Sequence, residues 1–182
     1  MTETIQQADD RSHARATGAV YLAYFAVAIL GLLLAKNKVP AGTVLSRLAP
    51  VLYASVTILL YRLFRPAQPL LASVAAVCSL AGCINDGLHQ LHRGLGGQES
   101  LLFFGPFCVL LGVLILRARF LPRWLGWPLI VAGIGWPAYL IPTVAQHAKI
   151  VIFSVGFVAE FELMLWLLLL GVDETRWREA RG

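Results

Sequence analysis

Asn85, Asp86, His89, His92 and Arg93 fall within nine residues of an otherwise apolar stretch. These are the side chains from which proton relays and general bases are built. On a helix, at about 100° per residue, they share an arc of about 120°. Gly82 and Cys78 continue that arc, with Ser79 just beside it. A polar stripe of this kind is costly against lipid, so it is expected to face a bundle interior or a wet cavity. Asp86 and His89 are three positions apart, close enough on one helix face for carboxylate and imidazole to touch. Such a contact fixes the imidazole tautomer and raises its basicity. The plainer alternative is a helix end at a membrane surface, with Asp86 paired to Arg93.

Glu160 falls near the middle of the last long apolar run, 150–172. An ionised group at a bilayer centre costs about 2.5–3.5 kcal/mol on insertion scales. Glu160 must therefore pair, sit in water, or hold a proton, which makes it a candidate for a ligand, ion or proton role. The structural alternative is an interhelical hydrogen bond from a neutral acid. Glu162 lies about 200° around the same helix and is expected to reach a different helix or another subunit. His147 and Lys149 are expected in a short turn before this run, on the same side as His89 and His92. Three His and one Asp are metal-ligand types, but the spacing is generic, without a His-Glu-x-x-His or Cys-x-x-Cys pattern. No metal and no cofactor is inferred. Cys78, Cys83 and Cys108 read as buried small hydrophobes. The chain lacks a Walker loop, a dinucleotide fingerprint and a nucleophile elbow, and no basic–aromatic patch suggests nucleic acid.

The elements that hold these residues follow from composition. Of 182 residues, 58% are hydrophobic and 14% charged, with a mean hydropathy of +0.72. A soluble domain carries about 25% charged residues, and a small globule could not hide so much apolar surface. Three Cys exclude a disulfide scaffold, and the composition excludes disorder. The expected fold is all-α: a polytopic membrane protein, a bundle of six transmembrane helices. With roughly 20 apolar residues per crossing, the spans are 16–35, 44–64, 67–91, 101–116, 124–143 and 150–172. These make one transmembrane domain, 16–172, between a polar tail at 1–15, expected to fray, and a polar tail at 173–182, whose Trp177 suggests a short interfacial helix. The first apolar run is too long for a signal-peptide core and is read as an uncleaved helix.

Lys and Arg number ten in the segments on one side and five on the other. The positive-inside rule then makes both termini cytoplasmic, in a multi-pass protein of the cell inner membrane. The net charge of +5 reflects this topology signal and attraction to the lipid bilayer. The turn Tyr61-Arg62-Leu63-Phe64-Arg65-Pro66 resembles Arg117-Ala118-Arg119-Phe120-Leu121-Pro122-Arg123-Trp124, which reads as the common need of tight cytoplasmic hairpins or, as the lesser alternative, as a duplication of helix pairs two–three and four–five. Pro128, Pro137 and Pro142 crowd the fifth span together with Gly126, Gly133 and Gly135. Such residues kink a membrane helix, which can frame a cavity or simply pack.

The stretch Phe103-Phe104-Gly105-Pro106-Phe107-Cys108 through Arg117, with Phe120-Leu121-Pro122-Arg123-Trp124-Leu125-Gly126 and Ala132-Gly133-Ile134-Gly135, resembles a family of bacterial multi-pass membrane proteins, domain of unknown function 4386. The opening Arg15-Ala16-Thr17-Gly18-Ala19-Val20-Tyr21-Leu22 and the closing Glu160-Phe161-Glu162-Leu163-Met164-Leu165-Trp166 are similar to its two ends. The family often places His before the Cys of the fourth helix, where this chain has Phe107. The resemblance implies a membrane bundle and draws attention to Glu160, to which Glu162 is additional. It transfers no activity.

Three functions remain open, and whether the protein is an enzyme is left undecided. The preferred one is binding or transport of a small or lipid-like amphipathic molecule, in an extracytoplasmic-facing cavity lined by Asn85, Asp86, His89, His92, Arg93 and Glu160. The next is an accessory subunit that docks on another membrane protein or on its own copy. The third is a membrane enzyme with Asp86 and His89 as an acid–base pair.

Overall fold

The computed structural model describes residues 2–91, 100–138 and 141–180, without the side chains of 2–11, 145 and 149. His92 and Arg93 lie outside the described residues. The elements are α1 (Thr2–Lys36), α2 (Pro40–Phe64), α3 (Pro69–Gln90), α4 (Leu101–Ala118), a 3-10 turn (Arg123–Leu125), α5 (Gly126–Ala138), α6 (Pro142–Leu169) and α7 (Glu174–Glu179). No strand occurs among the described residues. Three helices open on a proline, Pro40, Pro69 and Pro142, whose fixed φ and missing N–H suit a first turn. α4 stops where Arg119 turns left-handed at φ 58°.

Five helices are long and apolar enough to cross a membrane, and a sixth span results when Arg123–Ala138 and Pro142–Ala148 are taken as one broken crossing. Large apolar side chains are exposed along their outer faces, among them Leu32, Leu70, Val77, Ile134 and Ile150. This is the surface that lipid solvates. The protein is an all-α multi-pass membrane bundle.

α1 begins at Thr2, so the polar N-terminal residues continue the first helix. One expectation about the spans is corrected. The fifth span does not run on to residue 143. α5 ends at Ala138, and Pro142 starts α6 two turns before the expected residue 150. His147 therefore sits on helix α6, where Nδ1 bonds the Thr143 carbonyl at 2.8 Å, and not in a turn.

Each helix packs on its neighbours in sequence, and α6 returns to α1, closing a ring of six. The ring brings the two ends of the chain together: Ala14 lies against Gly171, and Gly18 against Leu168. α7 caps this end. Its Trp177 is buried, donating Nε1–H to the Leu63 carbonyl at 3.0 Å, while Arg176 Nη1 reaches the Arg119 carbonyl at 3.1 Å.

α4 and α5 come closest. A methyl group placed on Gly133 would stand 2.6 Å from the Gly105 carbonyl oxygen, and one on Gly126 would stand 2.7 Å from that of Gly112. Glycines seven residues apart on both helices thus let the backbones touch, the small-residue packing that replaces hydrophobic drive inside a bilayer.

The interior of the ring is uneven. Toward the termini its centre is filled, with Leu60, Phe64, Leu111, Ile115, Phe120, Leu163 and Leu167 all buried, and a separate cavity of about 510 Å³ lies at that end between α1, α2 and α7, lined by Thr17, Leu63, Arg65 and Trp177. Thr57 and Ser79, buried and 2.6 Å apart, join α2 to α3 within this packed half. The opposite half is hollow. Glu160 marks the boundary.

Candidate functional site

A cavity of about 270 Å³ occupies the hollow half, with Glu160 among its lining residues. Its rim is formed by Ser46 near the start of α2, Gln90 at the end of α3 and Leu101 at the start of α4. Gln90 Nε2 donates to the Ser46 carbonyl at 3.0 Å and ties two sides of that rim together. From Ser46 to Tyr53, and from Phe153 to Glu160, the helices descend seven residues, about 10 Å at 1.5 Å per residue.

Three helices converge on the Glu160 carboxylate of α6. Tyr21 of α1 donates its hydroxyl to Oε2 at 2.7 Å. Tyr53 of α2 donates to the same oxygen at 3.2 Å. The Cys108 thiol of α4 approaches Oε1 at 3.8 Å. All three donors are neutral. No Lys, Arg or His forms an ion pair with Glu160 among the described residues. The carboxylate is therefore oriented by dipoles but not neutralised by a protein cation.

Aromatic rings form the walls. Tyr24 and Tyr53 meet edge to face at 4.7 Å between centroids, and Tyr53 meets Phe104 the same way at 5.3 Å. Across the cavity Trp136 packs edge-on to Phe153 at 5.0 Å. Two absent side chains make room for this cladding: any Cβ at Gly82 would strike the Phe104 ring, and any Cβ at Gly156 the Trp136 indole. Trp136 is only 8% exposed, yet its Nε1–H has no hydrogen-bond acceptor. It comes near enough to act on the Cys108 thiol, but sulfur is a weak acceptor. A buried indole N–H usually finds a partner, and here the thiol is the group it acts on.

Asp86, one turn below Gln90 on α3, also lines the cavity. Its neighbour Asn85 is buried and donates Nδ2–H to Ser100 Oγ at 2.7 Å. Ser100 lies close enough to act on the Asp86 carboxylate in turn. The two carboxylates, far apart in sequence, thus belong to one space. His89 does not share it: in the last turn of α3, where the ring opens, its side chain is exposed. It acts on Asp86 only through space, with no ion pair within 4 Å. His147 is exposed on the outer face of α6. Glu162 is half-buried elsewhere on α6 and does not line the cavity.

Tyr21, Tyr24, Tyr53, Ser100 and Trp136 escaped the sequence reading, and Cys108 was read as packing only. Their signal was weak but present. A tyrosine or tryptophan deep in a span carries a polar tip that must go somewhere, and Tyr21 and Tyr24 are one helical turn apart.

Fold and site together define a multi-pass helical membrane protein with a one-ended, aromatic cavity over a half-buried glutamate. The family described as Domain of unknown function (DUF4386) matches residues 84–171, so the chain is similar to that family from the end of α3 through α6. The match contains Asp86, Cys108, Trp136 and Glu160, whereas the tyrosines of α1 and α2 lie outside it. No curated protein and no solved structure matches the chain.

Proposed function

We propose that the protein binds a small amphipathic molecule in this cavity, either to hold it or to carry it across the membrane. The observation that carries the reading is the coincidence, in one hollow, of an uncompensated carboxylate and a buried indole N–H with only a thiol to act on. Both are costly in a bilayer unless something completes them. At about 270 Å³ the cavity sits just below the usual range of about 300–1,000 Å³ for ligand pockets. It suits a small ligand or the head of a larger one. The packed half beneath Glu160 closes the other end, which favours a binding pocket over a continuous pore. The arginines gathered at the end that carries the termini support a cytoplasmic position for that end in a bacterial inner membrane. The cavity then opens outward.

Native mass spectrometry of the detergent-purified chain tests this reading. The wild type is expected to carry an added mass that is lost in Glu160→Gln and weakened in Trp136→Phe, whereas His89→Ala, outside the cavity, retains it. A bare wild-type chain under conditions that preserve lipid adducts on other membrane proteins would overturn the reading.

One observation favours the accessory-subunit reading as a second choice. Glu162 is half-buried in α6 without a hydrogen bond or ion pair among the described residues. A contact with another chain would supply one.

A further inference from the structure

From the chemistry of the cavity wall we infer that the ligand is a small organic cation, an amine or quaternary ammonium head that also carries a hydrogen-bond acceptor. This inference rests on the binding reading above and names the class of ligand. The described side chains lining the cavity include two carboxylates, Asp86 near the rim and Glu160 at the floor, and no Lys, Arg or His among the described residues. An anionic ligand would be repelled by both, and a neutral one would leave the floor carboxylate to hold a proton or go without a counter-charge in a low-dielectric site. A cation completes it.

The walls point the same way. Tyr24, Tyr53, Phe104, Trp136 and Phe153 surround the space, and aromatic faces attract ammonium groups most strongly where water is excluded. An inorganic cation fits less well. Hard metal ions need about six oxygen ligands, whereas this wall is mostly carbon. No group of three His, Cys, Asp or Glu able to hold a metal occurs among the described residues. The Trp136 Nε1–H, with no oxygen acceptor, adds the last element: the ligand presents an acceptor, such as a hydroxyl or ester oxygen, on the side facing α5. Glu160 then fixes the charge and Trp136 the orientation.

The test is calorimetric titration of the full chain in nanodiscs with choline and benzyltrimethylammonium. The comparison ligands are 3,3-dimethylbutan-1-ol, which replaces the ammonium nitrogen of choline by carbon, and 3,3-dimethylbutanoate. At least one cation is expected to bind about tenfold or more tightly than the neutral alcohol, a difference of one decade in Kd, with no measurable binding of the carboxylate. Glu160→Gln removes that preference. Should this variant fail to fold, Asp86→Asn on the rim carries the same test, lowering cation affinity while leaving the alcohol unchanged. Trp136→Phe weakens choline more than benzyltrimethylammonium, which has no acceptor. Equal binding of the alcohol, or tighter binding of the carboxylate, overturns the cation assignment and leaves the binding reading standing. Failure of both cations to bind, in a protein that carries a co-purified mass lost in Glu160→Gln, also overturns the cation assignment and leaves the binding reading intact.

Discussion

Glu160→Leu costs the bundle about 2–4 kcal/mol, because it removes the acceptor on which two buried tyrosine hydroxyls depend. Tyr21 and Tyr53 are both buried, and each donates to Glu160 Oε2. Leucine nearly preserves the volume but offers neither donor an oxygen. Each orphaned hydroxyl then costs on the order of 1–3 kcal/mol, less where the unfolded state in the membrane finds other partners. Glu160→Gln keeps one acceptor oxygen and is expected to lose only about 1 kcal/mol. The decisive variant is the triple Glu160→Leu, Tyr21→Phe, Tyr53→Phe. It removes donors and acceptor together and should recover most of the loss, because an apolar replacement of all partners is close to neutral. Unfolding in mixed micelles reads the series. A Glu160→Leu variant as stable as the wild type would show that the tyrosines do not rely on this carboxylate.

Gly133→Leu is expected to separate α4 from α5 and to cost about 3 kcal/mol, at the upper end of overpacking penalties. A Cβ at position 133 would lie 2.6 Å from the Gly105 carbonyl oxygen and 2.7 Å from the Val109 backbone nitrogen. Both are backbone atoms, so no side-chain rotation relieves the clash. The helices must move apart along their length. Trp136 rides on the same α5 one turn further on, so the cavity wall moves with them. Gly87 provides the control: a Cβ there meets nothing within 4 Å. Gly87→Ala should stabilise α3 by up to about 1 kcal/mol through helix propensity. Thermal unfolding in detergent measures both, and a Gly133→Leu variant with wild-type stability would mean that the close crossing is not needed.

Much of this architecture is legible in the sequence, because apolar runs about 20 residues long have few alternatives to crossing a bilayer. The position of Glu160 along its run placed it deep in the bundle, and the arc on α3 placed Asp86 and Asn85 toward the interior. Other features were beyond such reasoning. Periodicity shows which residues share a face of one helix, but not which faces meet. Glu160 finds Tyr21 across 139 residues of sequence and Tyr53 across 107. His89 lies on the expected arc, but the ring opens at that level and leaves it exposed. The break between α5 and α6 turned on whether Pro142 ends one helix or begins the next. Its preceding residue, Ile141, is extended (φ −81°, ψ 116°), as the residue before proline prefers, so the proline begins α6.

An electron-density map of the protein purified in mild detergent shows whether the cavity is open and occupied. Non-protein density is expected between Tyr24, Phe104 and Trp136, with an acceptor within hydrogen-bond distance of Trp136 Nε1 and a group in contact with the Glu160 carboxylate. A collapsed interior, in which a protein oxygen takes the Trp136 N–H and side chains fill the space above Glu160, would contradict this expectation.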